Sequence, residues 1–139
     1  MYRKTYVEIN EEVLTANVSE ITSKYPEYHY YFGVVKGNAY GHGMHTVNAL
    51  IKGGVNYLAV ATLEEAAAVR QFNKDIPILC LEPIDLEFIE DIIELNVSLT
   101  VNSLEYFEQL NFLAPRKQIN VHIKLDTGMN RLGIADKDE

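Results

Sequence analysis

A single cysteine, Cys80, among 139 residues excludes an internal disulfide framework and a cysteine-based metal centre, and it fits a reducing compartment. Its setting, "IPILCLEP", reads as a small buried apolar side chain, and no metal site is expected. Positive charge is also scarce. Twelve lysines and arginines stand against twenty aspartates and glutamates, a formal net charge of -8 with no basic cluster. Neither nucleic acid nor an anionic membrane surface is therefore an expected partner. No apolar run approaches the length of a membrane span, and the start, "MYRKTYVEIN", has early positive charge without the apolar stretch of a signal peptide. A cytoplasmic protein is the expectation.

What is present is a globular composition, with 47% apolar and 23% charged residues and no low-complexity segment, enough for one domain with a packed core. The apolar pattern alternates short runs with amphipathic stretches. "EEVLTANVSEITSKY" puts Leu14, Val18 and Ile21 on one helical face behind Asn10 as N-cap. "YYFGVVKG" reads as a buried strand, "MHTVNALIKGG" as a helix and "NYLAVATL" as the next strand. Thr62 and Glu65 form a capping box opening "LEEAAAVRQF". There follow the strand "ILCLE", a helix striped by Leu86, Ile89 and Ile93, the strand "VSLTV", the helix "SLEYFEQLNFL" and the strand "INVHIKLD". "TYVEI" near the start reads as a further, early strand. Strands recurring with a helix in each gap predict right-handed crossovers and a parallel sheet. Length alone favours an open doubly wound sheet over a closed eight-stranded barrel.

Two stretches carry chemistry. In "VVKGNAYGHG", Lys36 ends a strand, where parallel folds place their active sites, and Gly37, Gly41 and Gly43 follow with Tyr40 among them. Partial burial disfavours an ammonium, and the neutral amine is the nucleophile of Schiff-base chemistry. Taken alone, the stretch also fits a lysine snorkelling from a strand end. In "VHIKLDTGMNRLGI", alternation puts His122, Lys124 and Asp126 on one face of a strand, with Arg131 in the loop beyond. That face is either the solvent side of an edge strand or a functional interior.

"VVKGNAYGHG" and "KLDTGMNRLG", in this order and separation, resemble the two N-terminal signatures of the alanine racemases, and "LAVATLEEAAAVR" between them is similar to that family as well. These are pyridoxal 5'-phosphate enzymes of fold type III, whose N-terminal domain is an eight-stranded α/β barrel. The resemblance implies an incomplete (β/α)8 TIM barrel of about five parallel β/α units. Residues 1–139 would be its N-terminal part, with the later barrel strands and a C-terminal β domain lying beyond the chain. It implies that Lys36 bonds covalently to the cofactor and serves as one of two catalytic bases, and that Tyr40 binds the cofactor phosphate. It further implies that Arg131 contacts the cofactor's phenolic oxygen and that Lys124 is the lysine several relatives carry as a carbamate. His122 and Asp126 would at most support these groups, and His42 would belong to the start of a helix. Gly37 stands where the family usually has alanine or another small residue. The implied activity is interconversion of L- and D-alanine, which supplies D-alanine for peptidoglycan, in a cytoplasmic homodimer of the full-length protein. The alternatives are a racemase of serine or another small amino acid, or a non-catalytic barrel fragment. The 139 residues alone, which lack the second base, are expected to be inactive.

Overall fold

Asn10 opens the first helix, α1 (Glu11–Lys24), by accepting a hydrogen bond from the Val13 amide at 3.0 Å, with Glu11 and Glu12 in the first turn where the helix dipole favours them. The computed structural model describes residues 4–135, so 1–3 and 136–139 of the expected segment lie outside it. The face of α1 that packs on its neighbour carries Leu14, Thr15, Val18 and Thr22, whereas Ile21, expected in the apolar stripe, is exposed. Thr15 and Thr22 take its place because their hydroxyls donate to the carbonyls of Ala49 and Gly53, each at 3.1 Å. These carbonyls lie in and just beyond α3 (Val47–Lys52), which follows a 3-10 turn at Met44–Thr46.

Among the described residues five strands follow one another: β1 (Phe32–Val34), β2 (Tyr57–Val60), β3 (Ile78–Cys80), β4 (Val97–Val101) and β5 (Val121–Ile123). They pair in parallel in the order β1-β2-β3-β4-β5. A doubly wound sheet reverses its order at a switch point, whereas strictly sequential neighbours are how a barrel is wound. Between the strands run α4 (Leu63–Arg70), α5 (Ile89–Glu94) behind a 3-10 turn at Leu86–Phe88, and α6 (Leu104–Leu113). Thr62 and Ser103 cap α4 and α6 through their hydroxyls. The strands are shorter than their apolar runs, but single bonds extend the ladder past their ends. Val35 N–H donates to Ala59, Leu81 N–H to Val60 and Lys124 N–H to Val101, each at 2.8 Å.

Alternation divides the sheet into two faces. Leu58, Val60, Ile78, Cys80, Val97 and Leu99 pack against Val47, Ala66, Val69, Ile92 and Leu110 of the helices, and this layer is the core. Leu86 is buried and Ile89 packs on the core as the stripe predicts, but in the last turn the fully buried residue is Ile92, with Ile93 only half-buried. The opposite face carries Phe32, Tyr57, Leu79, Ser98, Thr100 and His122. Tyr57 stacks on Phe32 at 4.4 Å, and its hydroxyl lies 2.7 Å from Ser98 Oγ and 3.2 Å from His122 Nε2. Residues 5–9 form no strand. They pair with no neighbour in the sheet, and Tyr6 and Val7 are exposed.

Candidate active site

Lys36 leaves β1 with the parity of Phe32 and Val34, which directs it to the inner face, and it is half-buried. The chain then does something unusual. In the short element α2 (Lys36–Tyr40), Gly37, Asn38, Ala39 and Tyr40 all have left-handed backbone, with φ of 61, 54, 53 and 53°. Asparagine tolerates this region, but for Ala39 and Tyr40 left-handed winding costs roughly 1–2 kcal/mol each. Strain of this kind persists only where surrounding bonds over-determine it, and it gathers at functional sites.

Here the bonds are visible. Ala39 N–H donates to Val35 at 2.7 Å, Gly41 N–H to Gly37 at 3.1 Å and Gly43 N–H to Asn38 at 2.9 Å. The Asn38 side chain accepts from Met44 N–H at 3.0 Å, and His42 Nδ1 lies 2.9 Å from the Ala39 carbonyl. Ala39 is itself buried, which anchors the turn in the core. The Glu65 carboxylate closes the frame, accepting from Gly37 N–H at 2.6 Å and Ala61 N–H at 2.8 Å.

The frame continues sideways across the strand ends. The Ala61 carbonyl accepts from the Cys80 thiol at 3.0 Å, and the Cys80 carbonyl accepts from Thr100 Oγ1 at 2.7 Å. Side chains thus tie the carboxyl ends of β1, β2, β3 and β4 to one another. Burial pushes the Cys80 thiol up to about 11, so it remains a protonated donor and not a reactive thiolate.

Above this belt lies a cavity of about 230 Å³. Its polar lining is Lys36, Glu82, Thr100, His122, Lys124 and Arg131, and its apolar walls come from Ala61, Leu79, Leu81 and Ile123. The ionisable face of β5 is therefore the interior one. Val121 and Leu125 on the other face are 39% and 61% exposed, whereas His122 and Lys124 are half-buried, the reverse of a solvent-facing polar edge. Lys36, Lys124 and Arg131, far apart in sequence, line the same space. Tyr40 does not line it and is 65% exposed at the end of the left-handed turn.

Arg131 is presented by a loop whose ends are tied together. Leu125 and Ile134 form a parallel bridge, with Asp126 N–H donating to Ile134 at 2.9 Å and Ile134 N–H to Lys124 at 2.8 Å. Gly133 permits that closure. Its φ is +127°, and a Cβ there would sit 2.7 Å from the Asp126 nitrogen. Inside the loop Asp126 Oδ1 accepts from the amides of Asn130 and Gly128, both at 3.0 Å, and these bonds hold its carboxyl below the ordinary carboxylate range. Asp126 is accordingly a loop organiser and does not line the cavity.

Among the described residues the one side-chain ion pair is Lys24–Glu20 at 2.8 Å, so Lys36, Lys124 and Arg131 have no carboxylate within ion-pairing distance. Three cations, Lys36, Lys124 and Arg131, against the one carboxylate Glu82 leave the cavity lining net positive, and with an amine nucleophile among them it suits an anionic carbonyl compound. A second and larger groove, about 360 Å³ between α4 and α5, has only acidic titratable groups, Glu64, Glu82, Asp85 and Asp91, and offers no such amine. Sequence reasoning missed Glu65 as more than a helix cap and missed Thr100 altogether. The signal for Glu65 was its place on the first turn of a helix that directly follows a parallel strand.

A family model for the alanine racemase N-terminal domain matches residues 9–139. Alanine racemase 2 of Caldanaerobacter subterraneus subsp. tengcongensis is 40% identical over 139 residues, covering 98% of this chain and 36% of its own length. Alanine racemase 1 of Bacillus subtilis is 37% identical, covering 99% of this chain and likewise 36% of its own length. The chain thus spans about a third of the length of these curated relatives. Among solved structures, alanine racemase from Bacillus anthracis with bound L-Ala-P superposes with a TM-score of 0.87 at 36% identity, over 96% of this chain and 35% of that one. The Clostridium difficile 630 alanine racemase in complex with cycloserine gives 0.87 at 37% identity, over 100% of this chain and 39% of that one. The five sequential parallel strands correspond to the N-terminal part of the barrel in these proteins, and the chain belongs to the alanine racemase N-terminal domain family.

Proposed function

We propose that the chain is the N-terminal part of the barrel domain of a pyridoxal-phosphate-dependent enzyme that interconverts L- and D-alanine. The observation that carries this reading is the convergence of Lys36, Lys124 and Arg131 on one cavity at the carboxyl ends of the strands. The relatives that cover the chain are named alanine racemases, which supports the substrate. The donor set suits the cofactor, since Lys36 supplies the amine for its carbonyl and Arg131 a cation for an anionic oxygen. Tyr40, at the open end of the turn, is assigned to its phosphate. When bound, pyridoxal phosphate supplies an electron sink that acidifies the α-proton of the amino acid. Lys36 would remove or deliver the proton at Cα on one face, according to which enantiomer is bound. The opposite side needs a second base, which we assign to later parts of the full-length enzyme together with the remaining barrel strands and a β domain. Among the described residues no helix is long and apolar enough to cross a membrane. The reading includes a cytoplasmic homodimer supplying D-alanine for peptidoglycan.

The full-length enzyme given L-alanine and pyridoxal phosphate is expected to form D-alanine, and to turn over L-serine more slowly. Faster turnover of serine would reverse the substrate assignment, and turnover of neither would remove the function.

Lys124 is assigned as a carbamate. Its half-buried amine shares the cavity with Arg131, and conversion to an anion would let that guanidinium hold it by charge-assisted hydrogen bonds. The native intact mass of the full-length enzyme in bicarbonate buffer should exceed that of a Lys124→Ala variant by the side-chain difference plus one carbon dioxide. A difference equal to the side chain alone would show the amine unmodified.

A further inference from the structure

We propose that Glu65 is the positioning residue for Lys36. The proposal rests on the functional reading above and adds a residue to it. Glu65 sits on the first turn of α4, half-buried, where its sequence context predicts a side chain that folds back onto the Thr62 amide. The carboxylate bonds elsewhere. One oxygen accepts from Gly37 N–H at 2.6 Å and the other from Ala61 N–H at 2.8 Å. Gly37 is the residue directly after Lys36 and opens the left-handed run that continues to Gly41, and Ala61 lines the cavity beside Lys36. A single carboxylate therefore bridges the lysine turn to the end of β2.

Geometry limits which groups can do this. Both partners are N–H donors, so the bridging group must present two acceptor oxygens, and only an ionised carboxylate does so. Glutamine has the same size but one acceptor, and its amide NH₂ would face a second donor. Aspartate is one methylene shorter and cannot reach both amides from the same helical position. Without the bridge, the backbone after Lys36 loses an external restraint on a strained turn, and the side chain it launches is free to shift. A displacement of about 1 Å at a reacting group lowers rates by on the order of 100-fold.

The test compares wild type, Glu65→Gln and Glu65→Asp in the full-length enzyme with pyridoxal phosphate as probe. The visible absorption of lysine-bound cofactor, the rate of cofactor loss on dilution, and kcat and KM for alanine are all measured. Glu65→Gln is expected to lose cofactor faster and to lower kcat by about 10- to 100-fold, with KM little changed. Aspartate should restore neither. If Glu65→Gln matches wild type in cofactor retention and kcat, the carboxylate is an isosteric packing group and the proposal is wrong. If wild type shows no lysine-bound band, the functional reading falls, and this proposal with it. Should the glutamine variant fail to fold, amide hydrogen exchange in the wild type decides instead. Slow exchange at Gly37 N–H supports the bridge, and exchange as fast as that of an open loop overturns it.

Discussion

Replacing Lys36 with alanine in the full-length enzyme is expected to lower alanine racemisation by about 1,000-fold or more, and to abolish the visible band of lysine-bound cofactor. The size of the effect follows from two losses at one position. Lys36 is the half-buried amine at the strand end facing the cavity, and the proposed function gives it both the covalent attachment of the cofactor and the proton transfer on one face of Cα. Neighbouring cations do not replace it. Lys124 lies at the end of β5, the far end of the sheet from β1, and Arg131 is held on the loop beyond it. Fold stability should hardly change, because the Lys36 side chain faces the cavity and is not part of the helix-facing core. A Lys36→Ala enzyme that retained the band and lost less than about tenfold in rate would exclude both roles.

Arg70 is expected to give the largest stability effect. It is only 6% exposed, yet faces no carboxylate at ion-pairing distance among the described residues. Its guanidinium instead binds backbone carbonyls. Nε donates to Leu95 at 2.8 Å, Nη1 to Ile76 at 2.8 Å and Asn73 at 3.4 Å, and Nη2 to Asn96 at 3.2 Å. One side chain at the end of α4 thus gathers the chain entering β3 and the left-handed Asn96 turn entering β4. Burial lowers the guanidinium's proton affinity while nearby Asp75 opposes that shift, and the group stays charged. Arg70→Met fills most of the volume but strands several carbonyls, each costing about 1–3 kcal/mol. Thermal unfolding should show a loss of at least about 3 kcal/mol, with Arg70→Lys intermediate because an ammonium satisfies some of the same oxygens. A Met variant within about 0.5 kcal/mol of wild type would mean that water replaces those bonds at no cost.

Much of the architecture was legible because parallel strands buried on both sides announce themselves as apolar runs, and their alternation with helices leaves few topologies. Length argued for the wrong parallel fold, and the motifs resembling a family corrected it before the sequential strand order did. The local details were harder for physical reasons. Alternation in "VHIKLD" separates two faces but does not say which is interior, and only the strands beside it decide that. Helical periodicity gave Ile21 to the buried face of α1, where Thr22 won by hydrogen-bonding a carbonyl beyond α3. Glycines foretold a permissive turn after Lys36, and Asn38 tolerates left-handed backbone, but nothing in "AY" announces it at two residues that normally avoid it. That conformation depends on bonds from Val35, Met44 and Glu65, which are tertiary facts. Arg70 looked like an ordinary basic residue in a last helical turn, and its carbonyl partners lie as far as 26 residues away.

The central claim is that the cofactor bonds to Lys36, and reductive trapping tests it directly. The full-length enzyme is equilibrated with pyridoxal phosphate, reduced with borohydride, digested and mapped by mass spectrometry. The expected result is one stoichiometric pyridoxyl adduct on the peptide containing Val34, Val35 and Lys36. Stoichiometric adduct on Lys124 or on any other lysine, with Lys36 unmodified, would contradict it.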